Sequence, residues 1–315
     1  MPTFPPLPSQ TERSVYLSEL GFFAQEAYQC GPASLATVID YWQPALMLQP
    51  NELVPKVWTP AVKGSWQLEM QASVRRYGLV AYAQPMAAEA LFKELSAGHP
   101  VIVLLDLGTL GIEQWHYAVL AGFDKDRELV ILRSGKTKKR LMHWRHFIKA
   151  WRKANYWGLV ALPANRLPAS LTWAQVYKSL SDYEQVRGQA QLASWQLAQQ
   201  HWPDQWQFLF AAGNAAYQLE DSRLAQQYYL GALALKSDQA QLWNNLAYSL
   251  ARQRCSVSLA ALGCAQALEP ANTAWRQSET ELLLQAELFD QACGTLPSCP
   301  VKPKPRSKAN EERPL

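Results

Sequence analysis

Gln25-Glu26-Ala27-Tyr28-Gln29-Cys30-Gly31-Pro32-Ala33-Ser34 is the stretch on which the reading of this chain turns. Gly31 lets the backbone turn, and Pro32 suits the first turn of a helix, whose missing N–H is not needed there. The run Ala33 to Trp42 then supplies a buried helix with Cys30 at its start. A helix N-terminus favours an anion, so a thiol held there becomes a candidate nucleophile. Gln25, five positions earlier, is placed to aim its side-chain amide at a developing oxyanion together with the backbone N–H of Cys30. Gln29 adjoins the thiol and is expected to point elsewhere. Taken alone, a cysteine in an apolar helix more often packs than reacts.

A second group of residues changes that balance. His116-Tyr117-Ala118-Val119-Leu120-Ala121-Gly122-Phe123 reads as a strand, Asp124 to Arg127 as a turn, and Leu129 to Arg133 as the returning strand. The histidine supplies the general base that a thiol nucleophile needs. Asp124 would lie roughly 26 Å from His116 along an extended strand, too far to assist it. The hairpin instead returns Arg133, Ser134 and Gly135 beside His116, where no carboxylate stands. Ser134 is the candidate partner of the ring, although a hydroxyl stabilises an imidazolium less than a carboxylate does.

Over residues 17–163 these pieces resemble the bacteriocin-processing (double-glycine leader) peptidases, family thirty-nine of the papain-clan cysteine peptidases. The resemblance is closest to stand-alone bacterial members with a tetratricopeptide tail. It rests on Phe22-Phe23-Ala24-Gln25 through Cys30-Gly31-Pro32-Ala33, on Gly64-Ser65-Trp66-Gln67-Leu68-Glu69-Met70, and on Trp115-His116-Tyr117-Ala118-Val119. Leu132-Arg133-Ser134-Gly135 matches the stand-alone branch. The resemblance implies a papain-like α+β fold, a Cys30–His116 pair, Gln25 as oxyanion donor and a peptide or protein substrate, with no cofactor. Such peptidases usually carry an Asp-Pro pair one strand after the histidine. This chain has Ser134 there, so a dyad aided by Ser134 or by a backbone carbonyl is one expectation. A weak or inactive peptidase-shaped binding protein acting through its repeats is the other.

Composition frames the rest. With 315 residues, 49% of them hydrophobic, the chain is long enough for two domains. Its net charge of +4 mixes both signs, and part of the excess sits in Lys136, Lys138, Lys139 and Arg140. That basic loop reads as a solvated turn or as a contact for an acidic substrate or anionic lipid. Nothing points to nucleic-acid binding, and no apolar run reaches the length of a transmembrane helix. Cysteine and histidine spacings offer no zinc site. Cys255, Cys264, Cys293 and Cys299 cluster in the tail, either as two disulfides of an oxidising compartment or as four thiols. The start, residues 1–16, lacks the character of a signal peptide and reads as a proline-rich tether. The expected compartment is periplasmic or lipid-anchored if a signal precedes it, and cytoplasmic otherwise.

Between the two candidate groups the pattern predicts a helix over 67–77 ended by Gly78, a strand over 79–83, a helix over 87–97 and a buried strand over 101–105. His99, before a proline, is expected to be structural, and His143 and His146 to lie at the surface. A proline-bearing linker falls at 164–170, and residues 1–166 are expected to fold without the remainder of the chain. Beyond the linker the chain is helical, and matched residues recur every 34 positions: Trp195 and Tyr229, Ala198 and Ala232, Leu209 and Trp243, Ala212 and Leu246. This predicts an all-α tetratricopeptide-repeat domain over 171–290 that offers a surface to a protein partner. Residues 291–315 are expected to be disordered.

Overall fold

The computed structural model describes residues 12–25, 29–62, 64–109 and 112–300. Most of the expected tether, residues 1–11, and residues 301–315 of the expected tail lie outside the described residues. The chain forms two compact units, Met1–Gln189 and Ala190–Leu315.

The first unit is an α+β domain. Its elements in chain order are β1 (Ser14–Tyr16), α1 (Cys30–Trp42), α2 (Pro50–Val57), β2 (Trp58–Thr59), β3 (Gly64–Ser65), α3 (Gln67–Arg76) and β4 (Leu79–Pro85). They continue with α4 (Ala88–Ser96), β5 (Val101–Asp106), β6 (Trp115–Asp124), β7 (Leu129–Ser134), β8 (Thr137–His143), α5 (Trp144–Lys153), β9 (Trp157–Pro163) and α6 (Trp173–Arg187). The main sheet is antiparallel throughout, ordered β4-β9-β5-β6-β7-β8, with β1 paired to the far end of β6. The expected strands and helices form close to the predicted positions. Gly78, at φ +78°, ends α3 in the left-handed conformation that glycine adopts freely.

Each face of the sheet is covered by helices. Leu35, Ala36, Val38 and Ile39 of α1 and Met70 and Val74 of α3 pack on Tyr117, Val119, Ala121, Leu79, Ala81 and Leu159. Elsewhere Phe92 of α4 meets Phe123 edge-on at 4.2 Å, and Trp144, Phe147 and Trp151 of α5 stack in series. Rings at i, i+3 and i+4 of a helix share one face, which is why α5 is strongly amphipathic. His143 and His146 are exposed, while His99 is buried, with its Nδ1 2.7 Å from Glu94.

Three segments differ from the sequence pattern. The last residues of the expected tether form β1, because Ser14–Tyr16 can complete the ladder on Gly122–Asp124. Part of the expected linker is anchored: Ser170 donates from its N and Oγ to buried Glu94 at 2.9 and 2.5 Å. Helix α6 lies along β4 within the first unit, where Asp182 pairs with Arg75 at 2.9 Å and the Tyr183 hydroxyl donates to the Gly78 carbonyl.

The second unit is helical: α7 (Leu192–His201), α8 (Trp206–Gln218), α9 (Ser222–Leu235), α10 (Ala240–Arg252), α11 (Ser258–Leu268) and α12 (Ala274–Leu283). Each packs against the next. Trp195, Tyr229, Ala198, Ala232, Ala212, Trp243 and Leu246 are buried and Leu209 is partly buried against them, so most of the repeating positions lie in the core. Gly213 is required by contact, since a Cβ there would stand 2.5 Å from the Tyr229 ring. Cys255 is bonded to Cys293 and Cys264 to Cys299. These bonds tie residues 291–300, part of the expected disordered tail, to the helices.

Candidate active site

The segment from Tyr16 to Gly21 enters the domain beneath a buried arginine. Arg133 is 1% exposed and faces carbonyl oxygens rather than a carboxylate. Its Nε donates to Gly21 O at 3.0 Å, Nη1 to Lys138 O at 2.7 Å and to the Tyr16 hydroxyl at 3.2 Å, and Nη2 to Leu20 O at 2.7 Å. A fixed fork of donors suits several carbonyls at once. It fastens the incoming chain to β7 and to the first residues of β8.

Gln25 is held from both its backbone and its side chain. Its N–H donates to the Gly135 carbonyl at 2.9 Å, and its Oε1 accepts from the Gly135 N–H at 2.8 Å. With Oε1 so engaged, Nε2 is turned toward the Tyr117 carbonyl, 3.4 Å away. Gln29 points elsewhere, to Asn51.

Cys30 opens α1, with no acidic residue in the first turn and no side-chain cap. The backbone of Tyr117, the residue after His116, lies close enough to favour the Cys30 thiolate. Gly31 makes this helix start possible, because a Cβ at that position would stand 2.4 Å from Ser65 Oγ. The Ser65 carbonyl in turn accepts from the Tyr117 hydroxyl. Gln25, Cys30 and β3 thus all meet the strand at Tyr117.

His116 is the second residue of β6, opposite Leu105. Its Nε2 lies 2.9 Å from Ser134 Oγ. The β6–β7 register sets Val119 against Arg133, and the last residue of β7 reaches back to the ring. Gly135, at φ +61°, allows the tight return into β8. The structure therefore brings all four candidate residues, Gln25, Cys30, His116 and Ser134, around the segments 116–117 and 134–135.

The electrostatics are unusual for a thiol site. Burial pushes the Cys30 thiol up, opposed by hydrogen bonds from the backbone of Tyr117, Gly31 and Cys30 itself. Burial, then the nearby Arg140 guanidinium, pushes His116 down to about 4. At neutral pH both groups are uncharged, and no carboxylate among the described residues touches the ring. Asp106, opposite Trp115 in the β5–β6 ladder, is committed elsewhere. Its carboxylate accepts from the amides of Gln114 and Gly108 and pairs with Lys153, which holds it at about 2.

Sequence reasoning returned Arg133 beside His116 without a role and read Arg140 as part of a basic loop; the structure sets Arg133 opposite Val119 and turns it to the incoming segment. Arg140 Nη1 lies 3.5 Å from Ser134 Oγ. An arginine amid apolar residues in β7 was the available signal for the first. The second could have been found from its place in the strand that turns back directly after Ser134. Trp115, beside His116, is exposed, with its Nε1 donating to Glu113.

No group of described residues is arranged to hold a metal ion, and no described helix is long and apolar enough to cross a membrane. Residues 17–158 match the model of the Peptidase_C39 like family. Among solved structures, the chain is similar to a putative C39-like peptidase from Bacillus anthracis, with 17% identity and a TM-score of 0.41 over 48% of this chain and 98% of that one. It is also similar to a double glycine motif protease from an AMS/PCAT transporter in complex with the leader peptide, with 21% identity and a TM-score of 0.37 over 49% and 96%. A third is the peptidase domain of Streptococcus ComA, a bi-functional ABC transporter involved in quorum sensing, with 17% identity and a TM-score of 0.35 over 45% and 96%. Among curated proteins, none matches the chain.

Proposed function

We propose that the first unit is a cysteine peptidase that hydrolyses a peptide or protein substrate through Cys30 and His116. The support is the family match over residues 17–158 together with one convergence. The Cys30 thiol and the Gln25 amide both meet Tyr117, and the adjacent His116 ring is held by Ser134.

With Nε2 engaged by Ser134, Nδ1 is the nitrogen left for the thiol. Because both groups rest uncharged, the proton moves during attack rather than before it. His116 takes the Cys30 proton as Sγ bonds to the scissile carbonyl carbon. The carbonyl electron pair moves to oxygen, which the Gln25 Nε2–H and the Cys30 N–H receive. Collapse expels the amine, which takes the proton from His116 and leaves a thioester. Water, deprotonated by the same ring, then releases the acid and restores the thiol.

Cys30→Ala tests this directly. Peptide hydrolysis and labelling by a thiol-directed electrophile should both disappear while the unfolding midpoint stays unchanged. Full turnover in that variant would refute the assignment.

A second reading is favoured by the uncharged Cys30–His116 pair and by Ser134, with the Arg140 cation behind it, where peptidases of this type carry an acid. In it, the first unit is a weak or inactive peptidase-like module, and the biology lies in the helices. Under either reading, we infer that the second unit is a tetratricopeptide-like array recruiting a protein partner or the substrate. The two disulfides support an oxidising compartment for the chain.

A further inference from the structure

Among the described residues, Arg140 is the charged group that acts on His116, and its sign is opposite to what a cysteine–histidine site needs. It lies on β8, half-buried, opposite Leu132. Its only hydrogen bond to a described residue is the long one from Nη1 to Ser134 Oγ, at 3.5 Å. The contrast with Arg133 is sharp, since that guanidinium is sealed inside with every nitrogen on a short or moderate contact.

Arg140 also has company. Lys136, Lys138 and Lys139 precede it on the same turn and strand. Lys139 rests over the Tyr16 ring at 4.5 Å. None of the four forms an ion pair with a described residue. Asp106, at the end of the strand beside β6, is already engaged by Lys153 and two amides. A half-buried cation with donors to spare, one hydroxyl away from the histidine, is a receptor for an anion.

Resting on the peptidase reading above, we propose that Arg140 is the specificity-determining residue of this site. It binds a carboxylate of the substrate beside Ser134, so the enzyme acts on acidic peptides. The bound carboxylate cancels the repulsion between Arg140 and an imidazolium at His116. The substrate thereby brings the negative charge that the described residues do not place near the ring, and a peptide without it meets a site poorly disposed to hold a protonated histidine. Both a Glu or Asp side chain and a C-terminal carboxylate carry the required chemistry.

The test uses the full-length protein and two small alkylating agents. Cys30 is its sole free cysteine among the described residues, and the other four are paired. Iodoacetate carries a carboxylate, whereas iodoacetamide is its neutral counterpart. The ratio of their rate constants at Cys30, divided by the same ratio for glutathione, reads the recruitment of the anion independently of intrinsic thiol reactivity. We expect that normalised ratio to exceed one by about tenfold at low ionic strength and to shrink in high salt. Arg140→Gln should bring it to near one, and Arg140→Lys should keep most of it. A wild-type ratio near one, or a ratio unchanged in Arg140→Gln, overturns the proposal.

Protection of Cys30 against iodoacetamide then separates the two carboxylate sources. A capped peptide with an internal Glu is compared with its Gln counterpart bearing a free C-terminus. Protection by either peptide that is lost in Arg140→Gln supports the proposal and names the source. Protection by neither overturns it. Failure of both reagents to alkylate Cys30 in the native protein would instead remove the peptidase reading and the proposal with it.

Discussion

Replacing Arg133 by Met should destabilise the first unit more than any other single change at the site's periphery. The guanidinium makes three contacts of 3.0 Å or less, to Gly21 O, Lys138 O and Leu20 O. A hydrogen bond to a charged group contributes about 1.5–3 kcal/mol. Three of them give a gross loss of about 5–9 kcal/mol. Against this stands the relief of no longer burying a cation, several kcal/mol. The methionine fills much of the volume but leaves the carbonyls of Leu20 and Lys138 without their donor, so the balance remains a loss of about 3 kcal/mol. Arg133→Lys keeps the charge yet offers three donors from one point, and should lose about half as much. Urea unfolding followed by tryptophan fluorescence would measure both, with the first unit's transition fitted separately from that of the second. The same loosening frees the segment that carries Gln25 and Cys30, so peptidase activity should fall even at temperatures where the variant stays folded. A loss under ~1 kcal/mol with activity intact would show that the carbonyls find water at no cost, and the reasoning would be wrong.

Three further outcomes are expected. Ser134→Ala should lower kcat/KM by at most ~10-fold, the value of one orienting hydrogen bond, and Ser134→Asp should preserve or raise it. A loss of several orders of magnitude in the alanine variant would count against this. The acidic limb of kcat/KM should lie near pH 4 rather than at the ordinary histidine value, because the neutral ring is the base and its folded-state pKa is lowered to about 4. Folding lowers that pKa, so protonation favours the unfolded chain. Stability is full above the ordinary value of about 6.5 and is lost as the pH falls toward 4. A His116→Gln variant with the same pH dependence of melting would refute the linkage. Reduction of the disulfides should destabilise the second unit. Links spanning separations of 38 and 35 residues are each worth about 4 kcal/mol by loop entropy, and less than double that together because the loops overlap. A thermal melt unchanged by reductant would contradict this.

Much of the first unit was legible in the sequence because its signals are local. Gly31-Pro32 before an apolar run, Gly78 after a helical one and the alternating strands on either side of Asp124–Arg127 each act over a few residues. The meeting of His116 with Ser134 could also be read, since a hairpin converts sequence distance into register. What escaped was non-local. Neither the grip of Arg133 on a segment more than a hundred residues earlier nor the hold of Glu94 on Ser170 follows from any periodicity. β1 escaped because three residues after a proline-rich run carry almost no strand signal of their own. The pairing of four tail cysteines was undetermined for the same reason: spacing permits it, but only the fold brings the sulfurs together.

The position of α6 along β4 has a practical consequence. A sheet ends in two open borders, and each presents unpaired backbone groups that a second chain can join. On β8 the sequence Thr137-Lys138-Lys139-Arg140 guards the border by charge, because two such strands repel. β4, with Leu79-Val80-Ala81-Tyr82-Ala83, has no charged residue and relies on α6 as a physical cover. Truncation at residue 166 therefore removes more than a connector: it uncovers an apolar strand ready to pair with its copy. A fragment ending at 189 keeps its shield and is the one that should stay monomeric at high concentration.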